Sequence, residues 1–485
     1  MIRRLLIANR GEIAVRIIAA CRELGIQTVA VHSDADRDAL HTRLADDAVP
    51  IGPAPSIESY LDVGAVLSAA KRTHADAVHP GYGFLSQSPA FAAACEHEGL
   101  VFVGPPSNVM AAMGSKIESR RLMRKAGVPV VPGETPDEQT DAGVRAAIER
   151  VGLPALVKAS AGGGGKGMRV VTADADVAEA IPAARREAIA AFGDGTLYVE
   201  RLIDRPRHIE VQVFGDHHGR VLHVFERECS AQRRHQKVIE ESPAPSITPA
   251  LRDALTAAAV RAAEAVAYRN AGTIEFLVEP DGSFYFLEMN TRLQVEHGVT
   301  EMVAGVDLVQ AQLIVASGER LPWSGHTLSQ RGHAVEARIY AEDPANDHLP
   351  QAGRLLLYRE PKMPGVRIDS GVTEGDTISV HYDPLIVKVI ASGETRERTI
   401  VRLAAALRAF PILGVHTNVP FLLRILEHPD FRAGSIDTGF LDRESASLSR
   451  PGPEVPEFVR AALRRHDDAP GPGPAGHSSW DPWSA

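Results

Sequence analysis

Residues 156–171 carry the first pattern with chemistry in it. Leu156-Val157-Lys158-Ala159-Ser160 has the composition of a strand, Ala161 to Met168 holds five glycines around Lys166, and Arg169-Val170-Val171 resumes an apolar run. Without Cβ atoms such a loop brings backbone N–H groups against phosphate oxygens, and Lys158 and Lys166 can neutralise their charge. A P-loop is excluded, because that pattern needs Ser or Thr after its lysine and opens a helix, whereas Gly167 and an apolar run follow Lys166. A plain surface hairpin is the alternative.

The second pattern is a pair of carboxylates. Gly272 to Glu279 and Phe284 to Glu288 flank Pro280-Asp281-Gly282-Ser283, the signature of a β-hairpin. A loop of two or four residues centred on Asp281-Gly282 sets Glu275 directly opposite Glu288, and Pro280, which has no N–H, favours the wider loop. Like charges facing across strands are destabilising unless something compensates them. A hard divalent cation such as Mg²⁺, held by carboxylates and substrate phosphates, would do so. The alternative is a solvated face. From Glu288 to Glu296 every even position is polar (Glu288, Asn290, Arg292, Gln294, Glu296), while Met289, Leu293 and Val295 are apolar. If extended, this segment presents one face able to hold a metal at one end and a small anion near Arg292, with Glu296 placed as a base.

The third is Glu226 to Lys237, where five of twelve residues are potential cations, counting His235. Such a run is ordinarily a solvated basic edge. Its place between the glycine loop and the carboxylate hairpin favours an anion site.

These residues need elements to position them. Arg4 to Ala8 reads as a buried strand, Ile13, Ile17 and Cys21 recur at helical spacing until Leu24-Gly25, and Thr28 to Val31 is a second strand. Repetition at Ala77-Val78 and Val101 to Gly104 predicts a parallel α/β domain to about residue 112. The turn Asn9-Arg10-Gly11-Glu12 lacks the glycines of a dinucleotide fingerprint. Residues 113–330 form a middle segment and 331–446 a strand-rich one, in which Val335 to Tyr340 alternates between faces. Beyond them, Pro470 to Pro474 cannot build regular structure, so 447–485 is expected to be a disordered tail after a short helix around Phe458 to Arg464. The chain of 485 residues has a net charge of −10, a poor match to nonspecific nucleic-acid binding. Cys21, Cys95 and Cys229 show no C-x-x-C spacing and read as reduced, buried thiols. No apolar stretch approaches the roughly 20 residues of a membrane span, and the N-terminal apolar run is too short for a signal peptide, so a cytoplasmic protein is expected.

Taken with Ile7 to Ala14 and His79-Pro80-Gly81-Tyr82-Gly83-Phe84-Leu85-Ser86, these motifs resemble the biotin carboxylase family, the ATP-grasp component of biotin-dependent carboxylases, from Arg4 to about Arg443. The resemblance implies an α/β and α+β multidomain fold: an N-terminal parallel α/β domain, a central ATP-grasp domain with a mobile lid at about 131–203, and a C-terminal strand-rich domain. Carried over, Lys116 and Lys158 resemble phosphate-binding lysines, Gly164 and Gly165 the loop contact, and Glu200, Arg201 and Ile203 the adenine-holding stretch. His208, Gln232 and His235 match the ribose and phosphate surroundings, and Glu275, Glu288 and Asn290 the ligands of Mg²⁺, or of Mn²⁺ in its place. Lys237, Arg292, Gln294 and Val295 resemble the bicarbonate site, Glu296 the base, and Arg338 the residue that stabilises the biotin enolate.

The implied activity is ATP-dependent carboxylation of biotin through carboxyphosphate, the first half-reaction of an acyl-CoA carboxylase of the acetyl-CoA type, with a role in fatty acid biosynthesis. Gly298 stands where many relatives have proline, and the 279–283 turn carries one extra residue. The Met-Lys-Met signature of a biotin carrier is missing from this sequence. Biotin is therefore expected on a separate carrier protein, with carboxyltransferase subunits as further partners and a homodimer by family analogy. Another ATP-grasp ligase, or a nucleotide-binding subunit without turnover, is the alternative that the Glu296 and Arg338 pair disfavours.

Overall fold

Leu5, Leu6 and Ile7 are fully buried, as a strand at the centre of a sheet requires. In the structure, a computed structural model that describes residues 2–160, 167–325 and 327–451, they lie on β1 (Arg4–Ile7). Parallel strands β2 (Gln27–Ser33), β3 (Asp47–Gly52), β4 (Ala77–His79) and β5 (Val101–Phe102) complete a five-stranded sheet of order β3-β2-β1-β4-β5. The predicted helix is α1 (Gly11–Leu24), which buries Ile13, Ile17 and Cys21 and ends where Gly25 adopts a φ of 69° open to glycine without strain. The backbone of Gly371 packs on the first turn of α1, where a Cβ would stand 2.4 Å from Glu12 N.

A small unit follows. Helix α2 (Lys116–Lys125) leads to β6 (Gly133–Glu134), α3 (Asp141–Val151), β7 (Ala155–Ala159), β8 (Arg169–Val171), α4 (Asp174–Phe192) and β9 (Leu197–Arg201). The four strands pair as β6-β9-β7-β8. Val144, Ile148, Val157, Val171, Ile181 and Val199 give this unit a core of its own.

Beyond three short two-stranded ribbons, the remaining described strands form one eight-stranded antiparallel sheet. They are β10 (Arg207–Gly215), β11 (Val221–Arg233), β12 (Gln236–Ser242), β13 (Asn270–Val278), β14 (Phe284–Asn290), β15 (His333–Tyr340), β16 (Val366–Ser370) and β17 (Leu385–Gly393). Their order is β14-β13-β10-β11-β12-β15-β17-β16, so strands on both sides of residue 330 share one sheet through β12 and β15. Strand alternation divides its faces. Ile209, Val211, Ile274 and Phe276 pack on α5 (Pro249–Ala265), and Val335, Val387 and Val389 on α7 (Arg396–Arg408). The opposite face is charged and lies under α6 (His297–Ala304). Both faces of β15 are therefore buried, the alternation being apolar against charged rather than buried against wet.

The hairpin reaches the expected pairing by another route. Its loop holds three residues, with Glu279 N donating to Ser283 O at 2.8 Å and Gly282 N to Glu279 O at 3.0 Å. The pairs next to it are Val278 with Phe284, Leu277 with Tyr285 and Phe276 with Phe286. Left alone, that odd loop would set Glu275 against Leu287. A bulge at Leu287 restores the register, and Glu275 faces Glu288. Gly282, at a φ of 89°, lets the shorter loop close.

The predicted helix at 458–464 and the proline-rich tail lie outside the described residues, as do Gly164, Gly165 and Lys166.

Candidate active site

His208, Glu210 and Gln212 alternate with Ile209, Val211 and Val213 on β10, so β10 sends its polar side chains to the charged face. Glu210 pairs in register with Glu275 on one side and with Arg227 on the other. Glu288 and Asn290 extend the row on β14. Glu275 Oε1 accepts from Lys237 Nζ at 2.8 Å, Asn290 Nδ2 at 2.8 Å and Gln294 Nε2 at 3.1 Å. Its Oε2 lies 3.0 Å from His208 Nε2. Burial alone would raise the Glu275 carboxyl, but Lys237 and His208 hold it well below the usual carboxylate range. Glu288 goes the other way, pushed up by burial and by Glu275 opposite it. Two facing carboxylates, one kept charged and one driven towards neutrality, with an amide oxygen beside them, are a hard-oxygen donor set that fits Mg²⁺ or Mn²⁺.

Lys237 is the hub of the site. Its ammonium contacts Glu210 at 2.6 Å, Glu275 at 2.8 Å and Glu296 at 2.7 Å. The other oxygen of Glu296 is 2.8 Å from Arg338 Nη2. Against the penalty of burial, Lys237, Arg338 and Arg227 keep Glu296 ionised well below its ordinary value.

Thr291 to Glu296 do not continue the strand as expected. Strand β14 ends at Asn290, and the chain turns into α6, with His297 Nδ1 against Gln294 O at 2.8 Å. The turn, not strand alternation, brings the even positions together. Arg292 donates to Gln87 at 2.9 Å, to Gln294 and, at 3.3 Å, to Asn290. Val295 presents its carbonyl to Lys388 Nζ at 2.7 Å, which fixes the backbone next to Glu296.

The basic run from Glu226 to Lys237 is not a solvated edge. Arg227 is wholly buried and bonds Glu210, Gln212, Thr273 and Thr300. Arg233 pairs with Glu342 and Arg234 with Asp347, and only the tip, where Arg234 and His235 turn with positive φ, is exposed. Gln232 is buried opposite Lys237 in the β11–β12 register. Glu210, which pairs with both Arg227 and Lys237, escaped the sequence reading of the site. The polar-apolar alternation of β10 was the signal available for Glu210.

The other predicted residues gather on the small four-stranded unit and its neighbours. Lys158 Nζ is 2.8 Å from Glu200, whose second oxygen meets Arg120. Burial beside Lys116 and Arg120 pushes the Lys158 ammonium down, and the Glu288 carboxylate opposes that shift. Lys116 opens α2 with Nζ 3.5 Å from Ala159 O. Arg201, on the opposite face of β9 from Glu200, pairs with Glu279 at 2.9 Å, and Ile203 is buried just beyond the strand.

Two cavities adjoin the Thr291–Arg292 stretch, Thr291 lining one and Arg292 the other. One of about 210 Å³ is lined by Gln87, Lys116, Glu288 and Asn290. The other, of about 460 Å³, is lined by Tyr82, Arg292, Val295, Arg338, Tyr340 and Tyr382 among others. Arg338, in the wall of the larger cavity, pairs with Glu296, which pairs in turn with Lys237. All three cysteines are buried and unpaired, and no single helix among the described residues is long and apolar enough to cross a membrane.

Comparison with known proteins gives the same outline. The sequence matches the family models "Biotin carboxylase, N-terminal domain" over residues 1–110, "Carbamoyl-phosphate synthase L chain, ATP binding domain" over 115–324, and "Biotin carboxylase C-terminal domain" over 336–443. It is 48% identical over 441 residues to the biotin carboxylase of Halalkalibacterium halodurans, covering 91% of this chain and 97% of that protein. It is 49% identical over 448 residues to the mitochondrial methylcrotonoyl-CoA carboxylase subunit alpha of Mus musculus, covering 92% of this chain and 62% of the mouse protein. The chain thus spans about three fifths of that relative's length. Among solved structures, a biotin carboxylase complex from Campylobacter jejuni with β-γ-ATP aligns with a TM-score of 0.89 at 44% identity, over 91% of this chain and 99% of that one. The biotin carboxylase domain dimer of Hydrogenobacter thermophilus 2-oxoglutarate carboxylase, with MgADP, ADP and bicarbonate, aligns with a TM-score of 0.89 at 40% identity, over 93% and 100%.

Proposed function

The chain belongs to the biotin carboxylase family, and from that premise we propose that it uses ATP and bicarbonate to carboxylate biotin carried on a partner protein. The observation that carries this reading is Lys237, Glu296 and Arg338 in one ion-paired cluster, with Arg338 lining the larger cavity.

In this reading Lys116 and Lys158 bind the nucleotide's phosphates, with Gly164 and Gly165 as the loop contact. Glu200, Arg201 and Ile203 flank adenine, and His208, Gln232 and His235 complete the surroundings of the ribose and phosphates. Glu275, Glu288 and Asn290 hold Mg²⁺, which when bound draws off charge at the terminal phosphate. Lys237 and Arg292, with Gln294 and the Val295 backbone, seat bicarbonate. Glu296 takes its proton, the freed oxygen attacks the γ-phosphorus, and ADP leaves. The resulting carboxyphosphate breaks to CO₂ and phosphate. Phosphate accepts the ureido N–H proton of biotin, the nitrogen attacks CO₂, and Arg338 balances the oxyanion that forms on the ring.

The resting geometry adds a control. Glu296 is a poor base while Lys237 and Arg338 both grip it, and an incoming bicarbonate that draws Lys237 away raises its basicity where the proton is waiting.

We place domain boundaries near 112, 330 and 446 and read 131–203 as the lid, a reading supported by that unit's separate core. A homodimer, a biotin carrier and carboxyltransferase subunits are the partners proposed. The final acceptor is an acyl-CoA, and acetyl-CoA, hence fatty acid synthesis, competes with the substrate named in the methylcrotonoyl-CoA relatives. The unpaired thiols favour a reducing compartment, the cytoplasm first, and fractionation separates it from the mitochondrial location of several relatives. ADP release that requires bicarbonate and rises with free biotin tests the activity. ADP release indifferent to both favours another ATP-grasp ligase.

A further inference from the structure

Glu240 on β12 and Glu336 on β15 are direct cross-strand partners, and both are wholly buried. Apart from the contact of Glu240 with Arg338, none of their four carboxylate oxygens has a hydrogen-bond partner among the described residues. Two ionised carboxylates so placed would repel in a medium that screens poorly. Glu240 lies against Arg338 Nη2, the same nitrogen that meets Glu296 at 2.8 Å. The titratable and charged groups around the pair are Arg338 and Tyr340 along β15, Lys237 on β12, Cys229 on β11, Lys388 on β17, and Glu296 at the start of α6. Helix α6 approaches the pair at Gly298, where a Cβ would stand 3.2 Å from Glu336 Oε2 and 2.3 Å from Ile390 Cδ1.

We propose that Glu240 and Glu336 share one proton and, as a pair with a single negative charge, position Arg338 for the biotin-facing step. The proposal rests on the role given to Arg338 above. When Glu296 accepts the bicarbonate proton it ceases to be a counter-ion, and Glu240 keeps the guanidinium in place. A fully ionised pair would surround Arg338 with excess negative charge and oppose the oxyanion that Arg338 is there to balance. A fully neutral pair would leave the guanidinium untethered once Glu296 is protonated. Electrostatics agree with this division: burial pushes the Glu240 carboxyl up to about 7 against the pull of Arg338, and burial with Glu240 nearby holds Glu336 higher.

The test compares wild type, Glu240→Gln and Glu336→Gln, with ADP and carboxybiotin measured together on free biotin across a pH series. Glu240→Gln is expected to lower carboxybiotin formed per ADP by about tenfold while bicarbonate-dependent ADP release falls less than about threefold. In wild type that ratio falls on the alkaline side as the shared proton leaves, and in Glu336→Gln, whose amide cannot ionise, this fall disappears. A wild-type ratio in Glu240→Gln, or superimposable profiles for Glu336→Gln and wild type, overturns the proposal. Unfolding keeps the test decisive if Glu240→Gln does not fold. A carboxyl whose folded pKa is raised loses stability as pH climbs from its unfolded value, so wild type should weaken with rising pH more steeply than Glu336→Gln, and parallel curves refute the shared proton. Wild-type protein without bicarbonate-dependent ADP release would instead sink the proposed function, and the unfolding comparison would still decide the pair.

Discussion

Replacing Lys237 by glutamine removes one positive charge from the centre of three carboxylates, Glu210, Glu275 and Glu296, all within 2.8 Å of its ammonium. Stripping one partner from a buried ion pair typically costs about 3–5 kcal/mol, because the remaining charge stays buried without compensation. The cost here depends on pH in a stated direction. In wild type Glu275 and Glu296 have depressed folded pKa values, so their contribution to stability is present above the unfolded value of about 4.3 and is lost as pH falls through that range. Without Lys237, desolvation and mutual repulsion dominate, at least one carboxyl takes up a proton on folding, and stability falls as pH rises. One proton corresponds to a slope of about 1.4 kcal/mol per pH unit. The variant should therefore approach wild type near pH 5 and lie about 3–5 kcal/mol below it near pH 8. Urea unfolding of both proteins from pH 5 to 8 measures this, with the denaturant slope checked for constancy. A deficit independent of pH would refute the picture of three carboxylates sharing one cation. In the same variant the bicarbonate requirement should rise more than the ATP requirement, and equal effects on both would move Lys237 to the nucleotide's phosphates.

Three other substitutions address single roles. Glu288→Gln should cripple ATP turnover and raise the Mg²⁺ requirement, and normal turnover at low Mg²⁺ would remove the cation from between β13 and β14. Glu296→Ala should lose bicarbonate-dependent ATP cleavage by on the order of 10²-fold or more, as expected for a positioned general base, and a loss under about tenfold would assign the proton to another acceptor. Arg338→Gln should still cleave ATP with bicarbonate yet make little carboxybiotin, and a wild-type ratio of carboxybiotin to ADP would end its assigned part in the biotin step.

Much of this architecture is legible along the chain because it is set by local alternation. The buried run at Arg4–Ile7 and the spacing of Ile13, Ile17 and Cys21 follow from periods that neighbouring residues impose on one another, whereas the polar positions from Arg292 to Glu296 are gathered by the turn after Asn290, which no strand period encodes. The pairing of Glu275 with Glu288 was readable too, although two local features that pattern does not specify, a three-residue loop and a bulge at Leu287, had to cancel to produce it. Other features belong to the tertiary structure. Glu240 meets Glu336, Lys388 reaches Val295, and Arg227 finds Thr300 through contacts between segments 73 to 96 residues apart, and no local period encodes which distant strand or helix packs against which. A run of charges such as Glu226 to Lys237 reads as solvated on its own terms. It becomes a buried network because α6 and two neighbouring strands deliver the carboxylates and hydroxyls that make burial of its cations tolerable.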